Sequence, residues 1–196
     1  TTSTGSGNIR YEATGAIELG EISTSGNISL IGTAMTDANG DSLNLSADQL
    51  KISASGFGTG ANGIETTLAS LSADIGAGGL YLSETDALSV GDTAAITVNR
   101  VKTDGTVTSS SHSDASQSGL SSGENLVLIS GGALTISSAS TAAGNLLLDV
   151  TGDLNANAAI GSSGGHLSLL ASGTLNQSAT GDISTSGTGT IDVQAA

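Results

Sequence analysis

Apolar and polar residues alternate along this chain over very short runs. Leu126/Leu128, Leu134/Ile136, Leu146/Leu148/Val150 and Leu167/Leu169 all repeat at a period of two. That is the period of a strand with one buried face. The runs end at Gly-Gly, Ser-Gly, Gly-Asp or Ser-Ser corners, which predicts strands of about three to five residues. A helix would need apolar residues at 3.6 spacing on good helix formers. The chain supplies Gly, Ser and Thr, which disfavour helix interiors, so the prediction is nearly all β.

The strands belong to a repeat. Four segments align: Gly7-Asn8-Ile9 through Ile22, Gly123 through Ile136, Gly144-Asn145-Leu146 through Ile160, and Gly165-His166-Leu167 through Ile183. Anchor residues are evenly spaced: 19 positions from Ile9 to Ile28, 20 from Leu126 to Leu146, 21 from Leu146 to Leu167 and 24 from Leu167 to Ile191. A sandwich would have longer strands that differ from one another. A recurring unit with its apolar positions in register is the signature of a solenoid, one coil per repeat. The expected fold is therefore an all-β parallel β-helix (β-solenoid) of about 20-residue coils, spanning 1–196 as one segment. No proline interrupts it, as expected if every coil's N–H groups bond to the next coil.

The centre departs from the repeat. Asn39-Gly40 lies between extended stretches and marks a tight turn. Residues 96–107 read as a hairpin turning at Asp104-Gly105, followed by a polar tract from Ser109 to Ser122 that contains His112. Residues 99–121 are predicted to leave the coil wall as a loop or hairpin excursion before stacking resumes at Gly123.

Composition narrows the class. There are 29 Gly but no Pro, Cys or Trp, and only three aromatics: Tyr11, Phe57 and Tyr81. Collagen would need Pro and a strict glycine period, and a disordered tail would carry denser charge and fewer apolar residues. The absence of Cys removes any disulfide framework or thiolate metal site. The net charge is −14, with Arg10, Lys51, Arg100 and Lys102 as the only Lys and Arg residues. No basic stripe is available for nucleic acid or an anionic membrane, and no apolar run is long enough for a membrane-spanning helix.

The Gly-Asn-Leu/Ile units resemble the haemagglutinin-type repeats of filamentous bacterial adhesins, which form right-handed parallel β-helices. The middle of the chain, from Leu80-Tyr81-Leu82-Ser83-Glu84-Thr85-Asp86-Ala87-Leu88 through Asn99-Arg100-Val101 to Asp114-Ala115-Ser116-Gln117-Ser118, is similar to a unit of giant bacterial β-strand-repeat exoproteins. The resemblance implies a secreted or surface-held bacterial protein acting as adhesin, stalk or coat. The sequence shows no secretion domain or membrane anchor, so it reads as a piece of something longer.

Candidate chemistry is sparse. Arg100 and Lys102 lie near Asp92 and Asp104, and Glu84 and Asp86 fall on one strand face, but neither set makes a catalytic constellation. Ser111-His112-Ser113-Asp114 spells a triad only in linear order, and triads are assembled across space. His166 takes the slot that Asn holds in neighbouring units and reads as a corner residue. Asp37, Asn39 and Asp41 place oxygens at alternate positions, as calcium loops do, although the glycine falls one place early and the closing glutamate is missing. This is the one cofactor expectation, and its bland reading is a plain Asn-Gly turn.

The expectation is a non-enzymatic structural or adhesive module, extracellular or on a bacterial cell surface, providing reach, coating or cell contact. Its expected partners are neighbouring copies or flanking repeats. The alternative is a glycan- or protein-binding module acting through 99–121, with Arg100, Lys102 and His112 as binding residues, since loops on a rigid scaffold carry recognition. A carbohydrate-active β-helix enzyme ranks third.

Overall fold

The computed structural model describes residues 1–108 and 112–196. The described residues are strands, turns and irregular segments with no helix. Parallel strands stack into a β-solenoid of about nine turns at roughly 21-residue spacing. Each turn contributes strands to three walls, and equivalent positions form rows along the stack.

The first wall carries the row Ile9, Ile28, Leu50, Leu71, Val90, Ile136, Ala156 and Gln177, each residue paired with the next. Beside it, two residues along in the early turns and past a corner in the later ones, runs a second row: Tyr11, Leu30, Ile52, Ala73, Leu120, Ser140, Ile160 and Ile183. The second wall is built on Ile17, Met35, Phe57, Leu80, Leu126, Leu146, Leu167 and Ile191. The third follows Thr2, Ile22, Leu45, Thr66, Glu84, Ser130, Val150 and Ala171. Most of these residues point inward and together form one continuous core, with Phe57 the only fully buried aromatic among the described residues and Tyr11 packed against it. Rows of Leu, Ile and Val suffice because the core is one coil wide and merely repeated.

The expected partners Ile9/Ile28, Leu126/Leu146, Leu146/Leu167 and Leu167/Ile191 are all in register. The phase of the repeat needs correction. The Gly7-Asn8-Ile9 unit opens the first wall, whereas the units beginning at Gly123, Gly144 and Gly165 open the second. Every wall alternates inward and outward residues at the same period, so the pattern alone does not tell one wall from another.

Along the early turns the first wall is flat and unbroken, within the long strands Asn27–Asp37, Leu45–Phe57 and Ile64–Ile75. Later it divides into pairs of three-residue strands around a corner, such as Leu134–Ile136 with Ser140–Ala142 and Leu154–Ala156 with Ile160–Ser162. The change occurs where the excursion enters. Val90 and Leu120 both lie in the wall, and everything between them leaves it. The excursion expected at 99–121 is thus longer at its start and shorter at its end, since Leu120–Ser122 already belongs to the coil.

Candidate functional site: the hairpin strap

Residues 92–108 and 112–118 form an antiparallel hairpin built from three short pairings. Asp92–Thr93 lies against Gln117–Ser118, Ile96–Thr97 against Ser113–Asp114, and Arg100–Val101 against Val107–Thr108. Its turn is the expected Asp104-Gly105. Lys102 and Thr106 bond across it through Lys102 N–H and Thr106 O, and the Asp104 carboxylate accepts from the Thr106 N–H and hydroxyl. Those bonds hold the Asp104 carboxyl below its usual range. Gly105 adopts φ +79°, which side-chain-bearing residues rarely do. The hairpin rejoins the coil at Gly119, whose φ is +68° and where a Cβ would sit 2.3 Å from the Ala139 carbonyl oxygen.

This hairpin is a strap folded back along the stack. It crosses the outward row Arg10, Ser29, Lys51 and Ser72 of the flat wall. The Thr93 hydroxyl is 2.6 Å from the Ser72 hydroxyl, and the Ala94 N–H donates to Gln49 Oε1 at 2.9 Å. Lys51 Nζ donates to the Ala115 carbonyl, and Gln117 Nε2 to the Ile52 carbonyl at 3.0 Å. The far end is held by Asp114, which accepts from Ser29 Oγ at 2.7 Å and from Arg10 Nε and Nη2 at 2.8 and 2.9 Å. The remaining Arg10 nitrogen donates to Glu12 at 2.8 Å.

Ile96 is fully buried beneath the strap, and Asp114 is only 8 % exposed. Burial pushes the Asp114 carboxyl up, but the Arg10 and Ser29 hydrogen bonds and the nearby Arg10 and Lys51 charges outweigh it and hold it below the ordinary range. The guanidinium of Arg10 is raised by the same carboxylates. A bidentate Arg–carboxylate pair of this kind fixes orientation as well as contributing energy.

The tip is different. Residues 99–107 are all exposed, with Val101 at 68 % and Val107 at 60 %. Arg100 and Lys102 are on this tip, and among the described residues neither makes an ion pair. Half-buried His112 lies where the strap passes the Arg10 rung, in a cleft of about 400 Å³ shared with Arg10, Glu12, Val98, Asn99, Arg100 and Val101. The structure therefore brings Arg100 and His112 together and places Lys102 farther out along the same hairpin. The linear Ser-His-Ser-Asp run does not become a triad: Ser111 lies outside the described residues, and the Asp114 carboxylate is taken by Arg10 and Ser29.

The calcium candidate resolves into a corner. Asp37 accepts from the Asn39 N–H, from Asn44 Nδ2 and from Asn62 Nδ2, each at 2.8 Å, and Asn39 Oδ1 accepts from Asn44 Nδ2 at 2.7 Å. Burial raises the Asp37 carboxyl, yet these donors prevail and leave it below its usual range. The Asp37 and Asn39 oxygens thus already accept amide protons, while Asp41 is exposed on the same corner. Among the described residues no three His, Cys, Asp or Glu side chains are placed to hold a metal ion.

Glu84 and Asp86 lie close enough for the Asp86 side chain to add to the rise that burial gives the Glu84 carboxyl, but they differ in burial. Glu84 points into the core, 2 % exposed, accepting from Thr66 Oγ1 at 2.7 Å and from the Leu68 N–H at 3.1 Å, whereas Asp86 is exposed in the next corner. Burial pushes the Glu84 carboxyl up to about 7, against the opposing Thr66 hydrogen bond. His166 does occupy the Asn slot of a ladder in which the Asn145 N–H donates to Asn125 Oδ1 and the His166 N–H to Asn145 Oδ1, both at 2.8 Å.

The strap's anchors, Arg10, Ser29 and Gln49, lie far from it in sequence, and burial of Thr93, Ile96 and Asp114 together with these hydrogen bonds shows that it is seated. Comparison with protein-family models, with curated proteins and with solved structures finds no match for this chain.

Proposed function

We propose that this chain is a structural module, a stiff stacking element of a bacterial surface or secreted protein whose work is reach, coating or contact. One observation supports it above the others. The backbone ladder runs in parallel register through the described turns, so the coils form one continuous stiff stack. The Asn125–Asn145–His166 ladder adds side-chain bonds along the same axis. The extracellular setting rests on the resemblance of the Gly-Asn-Leu units.

Sedimentation velocity over a concentration series, with calcium and with chelator, tests the reading. Open-ended association without a calcium requirement is expected. A strict monomer at every concentration counts against a stacking role.

A further inference from the structure

The second wall carries an outward strip of a different kind from the one beneath the strap. Tyr81, Val127 and Leu147 pair on successive rungs, each half-exposed. With Asn125, Asn145 and His166 they line a cleft of about 390 Å³, at the small end of the ~300–1,000 Å³ range of ligand sites. Asn125 and Asn145 stand two residues before Val127 and Leu147, so the strand period puts the polar row on the same outward face. The cleft is apolar along its length and polar along one edge.

Both parts are held in place. Glycines hem both edges of the Tyr81 ring: a Cβ on Gly60 would lie 3.4 Å from Cε1, and one on Gly79 would lie 2.9 Å from Cε2. Asn125 Nδ2 donates to Tyr81 Oη at 3.3 Å. In the polar row, Asn125 Oδ1 accepts the Asn145 N–H and Asn145 Oδ1 accepts the His166 N–H. Tying down Oδ1 fixes the amide plane and aims Asn145 Nδ2, which donates to no other group among the described residues. His166 Nδ1 meets the Thr190 hydroxyl at 2.8 Å, which leaves Nε2 for a ligand.

Polar groups fixed one rung apart, ~4.8 Å, beside an apolar strip suit a sugar, whose rings have an apolar C–H face and an edge of hydroxyls. An extended peptide suits the cleft less well. It adds to a sheet through its backbone, and the N–H and C=O groups of this wall are already engaged in the parallel ladder. Charge selects the class of sugar. None of the four Lys and Arg residues lines the cleft, whereas Glu124 and Asp149 are exposed beside it. Carboxylated or sulfated sugars would be repelled.

We infer that this cleft binds a neutral oligosaccharide lying along the stack. One ring packs on Tyr81 and the strip of Val127 and Leu147, and its hydroxyls accept from Asn145 Nδ2 and meet His166 Nε2. The site needs one folded molecule only, so it does not depend on the stacking role.

The test screens the intact chain on an array of neutral, uronic-acid and sulfated oligosaccharides, alongside a library of extended peptides. The best-bound neutral oligosaccharide is then titrated calorimetrically against the intact chain, Tyr81→Ala and Asn145→Asp. Asn145→Asp keeps the oxygen that the His166 N–H needs and removes only the Nδ2 donor, so it stays informative if Tyr81→Ala loosens the fold; circular dichroism monitors both. The expected result is binding of neutral sugars, with Kd raised roughly five- to tenfold in each variant. The chain has two tyrosines and no tryptophan, so tyrosine fluorescence should change during the titration and stay constant in Tyr81→Phe. An array that binds no neutral sugar, or only acidic sugars or peptides, overturns the inference. Unchanged affinity in both variants overturns it too, by placing the sugar elsewhere. Sedimentation velocity reads the stacking role separately: a chain that self-associates but binds no neutral sugar loses this site alone.

Discussion

The first four rungs of the flat wall and the turns after Gly123 share one ladder and nearly the same inward rows, yet they treat their outward faces in opposite ways. In the early rungs Ser29 and Ser72 are fully buried on the outward side and Lys51 is 8 % exposed, because the strap covers them. In the later turns the wall bends at corners, and outward Thr135 and Asn155 remain half-exposed. On the second wall the outward row Tyr81, Val127 and Leu147 also carries no strap and is half-exposed. The inward rows decide that the chain coils. Small and hydrogen-bonding residues on a flat wall decide which part of the coil is covered a second time.

The hardest way to break this difference is to remove its anchor. Asp114→Leu strands Arg10 beneath the strap, and breaking a largely buried ion pair costs about 3–5 kcal/mol. Urea unfolding of the variant should show a loss of that order. Hydrogen exchange should rise across 92–118 and in the strand Asn27–Asp37 before it rises in the later turns. Acid acts in the same direction: a carboxyl held low contributes fully above the ordinary aspartate range near pH ~3.9, and that contribution is lost as pH falls through the lower folded-state value.

Glu84 offers a change in the core instead. Its carboxyl is raised to about 7, so the fold prefers the protonated form. Its contribution is complete below the ordinary glutamate range and fades as pH climbs towards 7, at a cost on the order of 2–3 kcal/mol. Glu84→Gln removes that slope, so the variant should melt higher than the wild type at pH 8, with the gap closing near pH 4. An equal gap at both pH values would contradict the assignment.

The smallest effect probes the uncovered turns. Asn145→Ala removes the bond that Asn145 Oδ1 accepts from the His166 N–H, for about 1 kcal/mol. Its exchange signature should stay within the later turns and leave 92–118 untouched.

How much of this could be read from the residues follows from range. The partners Leu126, Leu146, Leu167 and Ile191 are legible because each lies one even step from the last. The Asp104-Gly105 turn is legible because its chemistry is local. The wall on which each unit begins is not, since Gly-Asn-Ile at 7–9 and Gly-Asn-Leu at 144–146 look alike and open different walls. The strap is half legible: its tip stands out as polar and charged, but seated Thr93 and Asp114 look like any loop residues. Nothing in the order of residues links Asp114 to Arg10, 104 positions away, and the same holds for Asn62, which closes on Asp37. Local pattern fixes the period, whereas the site depends on which distant polar groups the finished wall brings into reach.

The strap also sets how the molecule would yield to a pulling force. Beyond Gly123 each turn is joined mainly to the one before and the one after, so tension would peel these turns singly, each releasing about 21 residues. The early turns are spanned by a crosspiece fastened at Ser72, Lys51, Ser29 and Arg10. None of them can pay out its length until the fastening gives way, after which several go at once. Under load the chain would behave as a zipper at one end and a latched bolt at the other.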